Sequence, residues 1–293
     1  MHATIVAAPA SARRIGRMQL PTLAGIDITS RPTRRKPITV AIGHGDGASV
    51  RLARLDRHAG FEAFAQWLRT PGPWLGAFDF PFGLPRELVE ALGWPRAWPA
   101  LMRHYASLSR EQIRATFAAF CDARPAGGKF AHRACDLPAG SSPSMKWVNP
   151  PVAYMLHAGV PLLLEAGLHL PGLHEGDRTR VALEAYPGLL ARELIGHRSY
   201  KSDERARQTP ERLIARKDLI EALEQGRTRL GLRLRLTHAQ RDALAADASG
   251  DELDAVLCLV QAAWAARAPG FGLPRAVDPL EGWIVSAGSP APS

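Results

Sequence analysis

The chain has 293 residues, enough for one large domain or two small ones, and its 46% hydrophobic and 22% charged residues exclude disorder throughout. Its 37 Lys and Arg against 28 Asp and Glu give a net charge of +9, which favours polyanionic partners such as nucleic acid, although the preference for Arg over Lys is equally the mark of a high-GC genome. No run of about eighteen apolar residues exists to span a membrane, and the scattered Cys121, Cys135 and Cys258 offer neither a disulfide framework nor a zinc knuckle, which fits a reducing, cytoplasmic compartment.

Residues 1–20 are Ala-rich, carry Arg13, Arg14 and Arg17 without an acid, and lack an apolar h-region. They read as a disordered lead-in, or as an over-long start with Met18 as the true first residue. "LAGIDIT" (23–29), bounded by Pro21 and Pro32, predicts a strand. "PITVAIGHGDGASVRLARL" alternates on either side of Gly45, Asp46 and Gly47, which predicts an antiparallel hairpin. In 60–69, Phe61, Phe64, Ala65 and Leu68 fall on one helical face. Residues 74–80 predict a buried strand stopped by Pro81, Gly83 and Pro85, and 86–123 is mainly helical.

The Gly-, Pro- and Ser-rich stretch 124–150 is longer than connections usually are, so it reads as a functional or disordered loop. A helix over 151–167 follows, then a strand in "RVALEAYPG" (180–188). Helices are expected at about 188–196, 209–226, 237–247 and 250–267, and "EGWIVSA" (281–287) as a last short strand or edge. The order predicts an α/β protein, a mixed sheet covered by helices, with one domain over 21–288, an insertion at about 95–179, and a short disordered tail at 289–293.

Three predicted strands carry an acid near their ends: Asp27, Asp79 and Glu184. Asp251 and Asp254 share one face near the start of a helix. A carboxylate inside an apolar run is costly unless compensated, and a metal ion compensates most strongly. Each acid also has a simpler explanation. Asp27 and Asp79 can start turns, Glu184 can pair with an Arg, and Ser249 with Glu252 can form a capping box that leaves Asp251 as a helix-terminus acid. All four segments together favour a shared site. Oxygen ligands without a His or Cys cluster point to Mg²⁺ or Mn²⁺, two of which, about 4 Å apart, can drive phosphodiester hydrolysis.

The segments "GID", "DFPFGLP", "LEAYPGLLARELIGHRSYK" and "DELDAVLCLVQAAWA" resemble the domain-of-unknown-function 429 family of predicted RNase H-like nucleases, over roughly residues 23–287. The resemblance implies an RNase H-like fold: a five-stranded sheet, second strand antiparallel, with helices on both faces. It also implies that Asp27 is the first-strand acid, Asp79 and Glu184 the middle acids, and Asp251 with Asp254 the helix pair. Asp27, Asp79, Glu184 and Asp254 would then be the metal ligands, although five candidates compete for about four places.

Lys146, Asn149, Tyr200 and Lys201 are candidate substrate-binding residues, since Lys suits a phosphate oxygen as a point charge. Trp74, Trp94, Trp98 and Trp147 favour the core over base stacking, and no P-loop is present. The resulting expectation is a metal-dependent nuclease acting on structured DNA or RNA. Two alternatives stand beside it: an ATP- or phosphate-handling enzyme of the actin-like fold, and a non-catalytic nucleic-acid-binding module. Oligomeric state is left open.

Overall fold

β1 (Thr22–Asp27) is the apolar run after Pro21 and is buried along nearly all its length. β2 (Ile38–Gly45) and β3 (Ser49–His58) pair antiparallel across a turn at Asp46 and Gly47. Gly47 there has φ +91°, which a side chain disfavours, and Asp46 Oδ1 accepts the Ser49 N–H at 2.8 Å. α1 (Phe61–Leu68) buries Phe64 and Leu68, each of which stabilises the fold by about 1.5–3 kcal/mol. β4 (Trp74–Phe78) ends just before Asp79 and Pro81. In this computed structural model the described residues are 21–288, so the lead-in expected over 1–20 and the tail over 289–293 lie outside them.

The predicted helical stretch resolves into α2 (Arg86–Ala91), α3 (Trp98–Ser107) and α4 (Arg110–Asp122), the last opened by a capping box between Ser109 and Gln112. The long loop holds one short helix, α5 (Asp136–Ala139), before α6 (Val152–Glu165). β5 (Leu168–His169) and β6 (Asp177–Glu184) follow. The chain continues through α7 (Pro187–Ile195), α8 (Pro210–Gln225), β7 (Arg233–Arg235), α9 (His238–Ala246) and α10 (Asp251–Ala265).

The strands form one sheet in the order β5-β6-β4-β1-β2-β3-β7. β2 runs antiparallel to both its neighbours and every other pair is parallel. The expected five strands are therefore seven, because two short segments extend the edges. β7 lies in "LRLRL", with Leu234 buried between exposed Arg233 and Arg235, but only three residues pair. β5 has two residues, too few for a period. "EGWIVSA" contributes a single bridge, Ile284 to Glu184, rather than a strand.

Alternation along the strands divides the core between two faces. Leu23, Ala41, Leu75, Ala77, Val181 and Leu183 pack beneath α7, α8, α9 and α10. Ala24, Ile26, Val40, Phe78 and Ala182 pack beneath α1, α2, α3, α4 and α6. The stretch at about 95–179 is thus the cover of one sheet face. α10 is the most deeply buried helix and crosses directly over β1. A methyl group at Gly25 would lie 2.0 Å from the Ala255 carbonyl oxygen and 2.1 Å from the Leu259 nitrogen, so only glycine admits this approach. Among the described residues no helix is long and apolar enough to cross a membrane, and Cys121, Cys135 and Cys258 are free and buried.

Candidate metal centre

β1 and β4 are parallel neighbours in register, Ile26 opposite Phe78. Asp27 and Asp79 follow that pair and turn toward the α10 side of the sheet, the side of Leu23 and Ala77. The Asp79 N–H donates to the Ile26 carbonyl at 2.8 Å, which ties the two strand ends together. Gly25, two residues before Asp27, lets α10 descend until Asp254 meets both. One carboxylate oxygen from each of Asp27, Asp79 and Asp254 lies within 4.8 Å of the other two. Oxygens around a single Mg²⁺ or Mn²⁺ stand roughly 3–4 Å apart, so a contraction of at most about 1–2 Å brings all three to one ion.

The electrostatics are those of crowded negative charge. Burial first, then the charges of Asp254, Asp251 and Asp79, hold the Asp27 carboxyl well above its ordinary range. Burial and the Asp254 charge push Asp79 up to about 7. Asp251 is also raised, mainly by burial, against the opposing pull of Lys36. Three hard carboxylate donors with no His or Cys among them suit a divalent ion such as Mg²⁺ or Mn²⁺.

Tyr200 and Lys201 serve the same group. The Tyr200 hydroxyl donates to Asp254 Oδ1, and the Lys201 ammonium pairs with Asp254 Oδ2, so both oxygens of this fully buried acid are engaged. The Lys201 side chain packs over Gly250, where φ is +77° and an added methyl would lie 2.6 Å from Lys201 Cβ, so glycine is required. Lys36, which the sequence did not single out, pairs with Asp203 at 2.6 Å and lies 3.6 Å from Asp251.

A cleft of ≈ 530 Å³ has Asp27, Asp79, Glu184, Asp251, Lys36, Lys201 and Asn149 on its walls, with Asp254 and Tyr200 buried behind them. Lys146 is not among the lining residues. Trp74 and Trp98 are buried in the core, and Trp94 and Trp147 pack against it.

Glu184 is not one of the three acids whose oxygens lie within 4.8 Å of one another. It sits opposite Phe78 on β6, so its side chain turns to the face away from α10. Arg133 reaches it from the long loop, donating at 2.6 Å to Oε1 and 2.7 Å to Oε2, while Oε2 also accepts the Phe82 N–H at 2.8 Å. Arg133 is itself buried and pairs with Asp136 at 2.9 Å. Arg133 compensates the Glu184 charge, while Glu184 still lines the same cleft as Asp27 and Asp79 and helps to raise Asp79, so it stands beside the triad rather than within it. The loop 124–150 is thus ordered by a buried ion pair at its centre. Its sequence signal was Arg133 and Asp136 three residues apart in an otherwise small-residue stretch.

The capping box expected from Ser249 and Glu252 does not form. Gly250 is the N-cap, Asp247 accepts from the Ser249 and Glu252 N–H groups, and Glu252 pairs with Arg57. Asp251 is left facing the cleft, 13% exposed. Comparison with family models, with curated proteins and with solved structures finds no match to this chain.

Proposed function

We propose that this protein is an RNase H-like, Mg²⁺- or Mn²⁺-dependent nuclease that hydrolyses phosphodiester bonds of DNA or RNA. The observation that carries the reading is the convergence of Asp27, Asp79 and Asp254 from two strand ends and a helix. The sheet supports it, since β2 alone is antiparallel, as the family resemblance implies. Asp27, Asp79 and Asp254 would hold the metal, with Asp251 at the rim as a further oxygen donor. A bound divalent ion supplies the positive charge that in-line phosphodiester hydrolysis requires.

The chain's own residues do the rest. Tyr200 fixes the orientation of Asp254 through its hydroxyl. Lys201 neutralises the acid group until the ion arrives and is then a point charge for a phosphate oxygen. Lys36 performs the same service on the Asp251 side.

Purified protein with Mn²⁺ and labelled duplex, branched and single-stranded substrates tests the reading. Mn²⁺ is expected to raise the melting temperature, with both that rise and cleavage lost in Asp27→Asn. Cleavage that persists unchanged in Asp27→Asn rejects the proposed chemistry.

A further inference from the structure

The segment between β1 and β2 reads "ITSRPTRRKP", with four cations and no acid. Ile28, Thr29 and Ser30 at its start and Lys36 at its end line the cleft, so Arg31, Arg34 and Arg35 stand at the cleft's lip, and all three are exposed. The turn is fixed by the Thr33 N–H donating to the Lys36 carbonyl at 2.9 Å and by the Lys36 N–H on Thr33 Oγ1 at 3.0 Å.

A fourth guanidinium joins from α4. Arg110 Nη2 donates to the Ser30 carbonyl at 2.7 Å, and its guanidinium carbon lies 4.9 Å from the centre of the Tyr154 ring. Arg110 is therefore held in place beside the loop. Its guanidinium is lowered by burial and then by the Arg31 charge, so the two cations feel each other. Among the described residues, no carboxylate forms an ion pair with Arg31, Arg34, Arg35 or Arg110. Other exposed arginines such as Arg51, Arg114 and Arg235 also form no ion pair with a carboxylate among the described residues, but none of them lines the cleft or flanks a segment that does. Four cations at the mouth of an acidic cleft, opposed by the nearby Glu111 charge but by no ion pair, repel one another and attract extended polyanions.

We infer that Arg31, Arg34, Arg35 and Arg110 form the phosphate-backbone track of this protein, where a nucleic-acid strand enters the acid-lined cleft. The inference deepens the nuclease reading by naming the surface on which its substrate rests. Contacts of this kind carry affinity and salt dependence rather than sequence preference, because guanidinium groups on phosphates do not read bases.

The test is made without metal, so that it does not depend on the acid group. Wild-type protein and the variant Arg31→Ser/Arg34→Ser/Arg35→Ser are titrated in EDTA against a labelled DNA duplex and the RNA duplex of the same sequence, over a range of salt. The exposed substitutions leave the turn's backbone bonds intact, and a matching melting temperature checks the fold. The variant is expected to bind at least one of the duplexes roughly tenfold or more weakly, and its slope of log K against log salt is expected to fall by about 2–3. Its Mn²⁺-induced thermal shift should equal that of the wild type.

Duplex binding within about twofold of wild type, with an unchanged salt slope, overturns the track. The two readings fail separately. If Mn²⁺ produces no thermal shift but duplex binding still depends on these arginines, the metal centre falls and the track stands. If the shift is present and the arginines make no difference, the track alone is wrong.

Discussion

Gly25→Ala perturbs the candidate site without touching any of its acids. The added methyl would lie 2.0 Å from the Ala255 carbonyl oxygen and 2.1 Å from the Leu259 nitrogen, where ordinary contact begins at 3.4 Å. Both obstacles are backbone of a helix whose inner residues are fully buried, so no side chain can swing aside. α10 must rise by about 1.4 Å, or β1 must bend by as much. Overpacking of this kind costs about 1–3 kcal/mol, and a backbone obstacle places this case at the upper end. At roughly 2–4 °C per kcal/mol for a chain of this size, the melting temperature should drop on the order of 10 °C.

The same displacement separates Asp254 from Asp27. Metal–ligand distances tolerate only about 0.2 Å, so Mn²⁺ affinity should fall by at least roughly tenfold although every carboxylate is present. Calorimetric titration with MnCl₂ and a thermal melt measure both effects. Gly45→Ala on β2 is the control, since its methyl would meet Leu23 and Ser49 only at 3.4 and 3.9 Å. A Gly25→Ala protein that melts with wild type and binds Mn²⁺ equally well would show that the helix–strand approach does not set the site.

Three further outcomes follow from the charges. Asp79, pushed up to about 7, must lose its proton before it can serve a cation, so Mn²⁺ affinity should weaken by roughly tenfold between about pH 8 and pH 6, a loss measurable by calorimetry. Because the folded carboxyl holds its proton more tightly than the unfolded chain does, the metal-free protein should also lose stability as pH rises from about 4 through 7, and Mn²⁺ should restore it. Lys201→Met removes the ammonium from Asp254, so the metal-free melting temperature should fall by the equivalent of about 1–2 kcal/mol, while the Mn²⁺-induced shift grows. Glu184→Gln strips a buried partner from Arg133 and should cost about 3 kcal/mol in a denaturant melt, yet leave Mn²⁺ affinity within about twofold.

Asp27, Asp79 and Asp254 were legible because each stands out against apolar neighbours, and neighbouring parallel strands that end in register bring their terminal acids together. Glu184 looked equivalent for the same reason. What separates it is parity: a single residue of register decides which face of a sheet a side chain takes, and the sequence does not state the register between β4 and β6. Arg133, which claims Glu184, lies some fifty residues away in a stretch without periodicity, so only the folded chain reveals the pair. β5 and β7 escaped notice because two and three paired residues are shorter than any reliable alternation. The long helices and the hairpin carried their periods across enough residues to be read directly.

Crossing of α10 over Gly25 also joins parts of the chain far apart in sequence. Asp254 follows Asp27 by more than two hundred residues, on the helix that packs against the first strand. A nascent or prematurely terminated product lacking that helix holds two of the three acids and has no lid over β1. The acidic triad therefore exists only in a chain that extends through the first turn of α10.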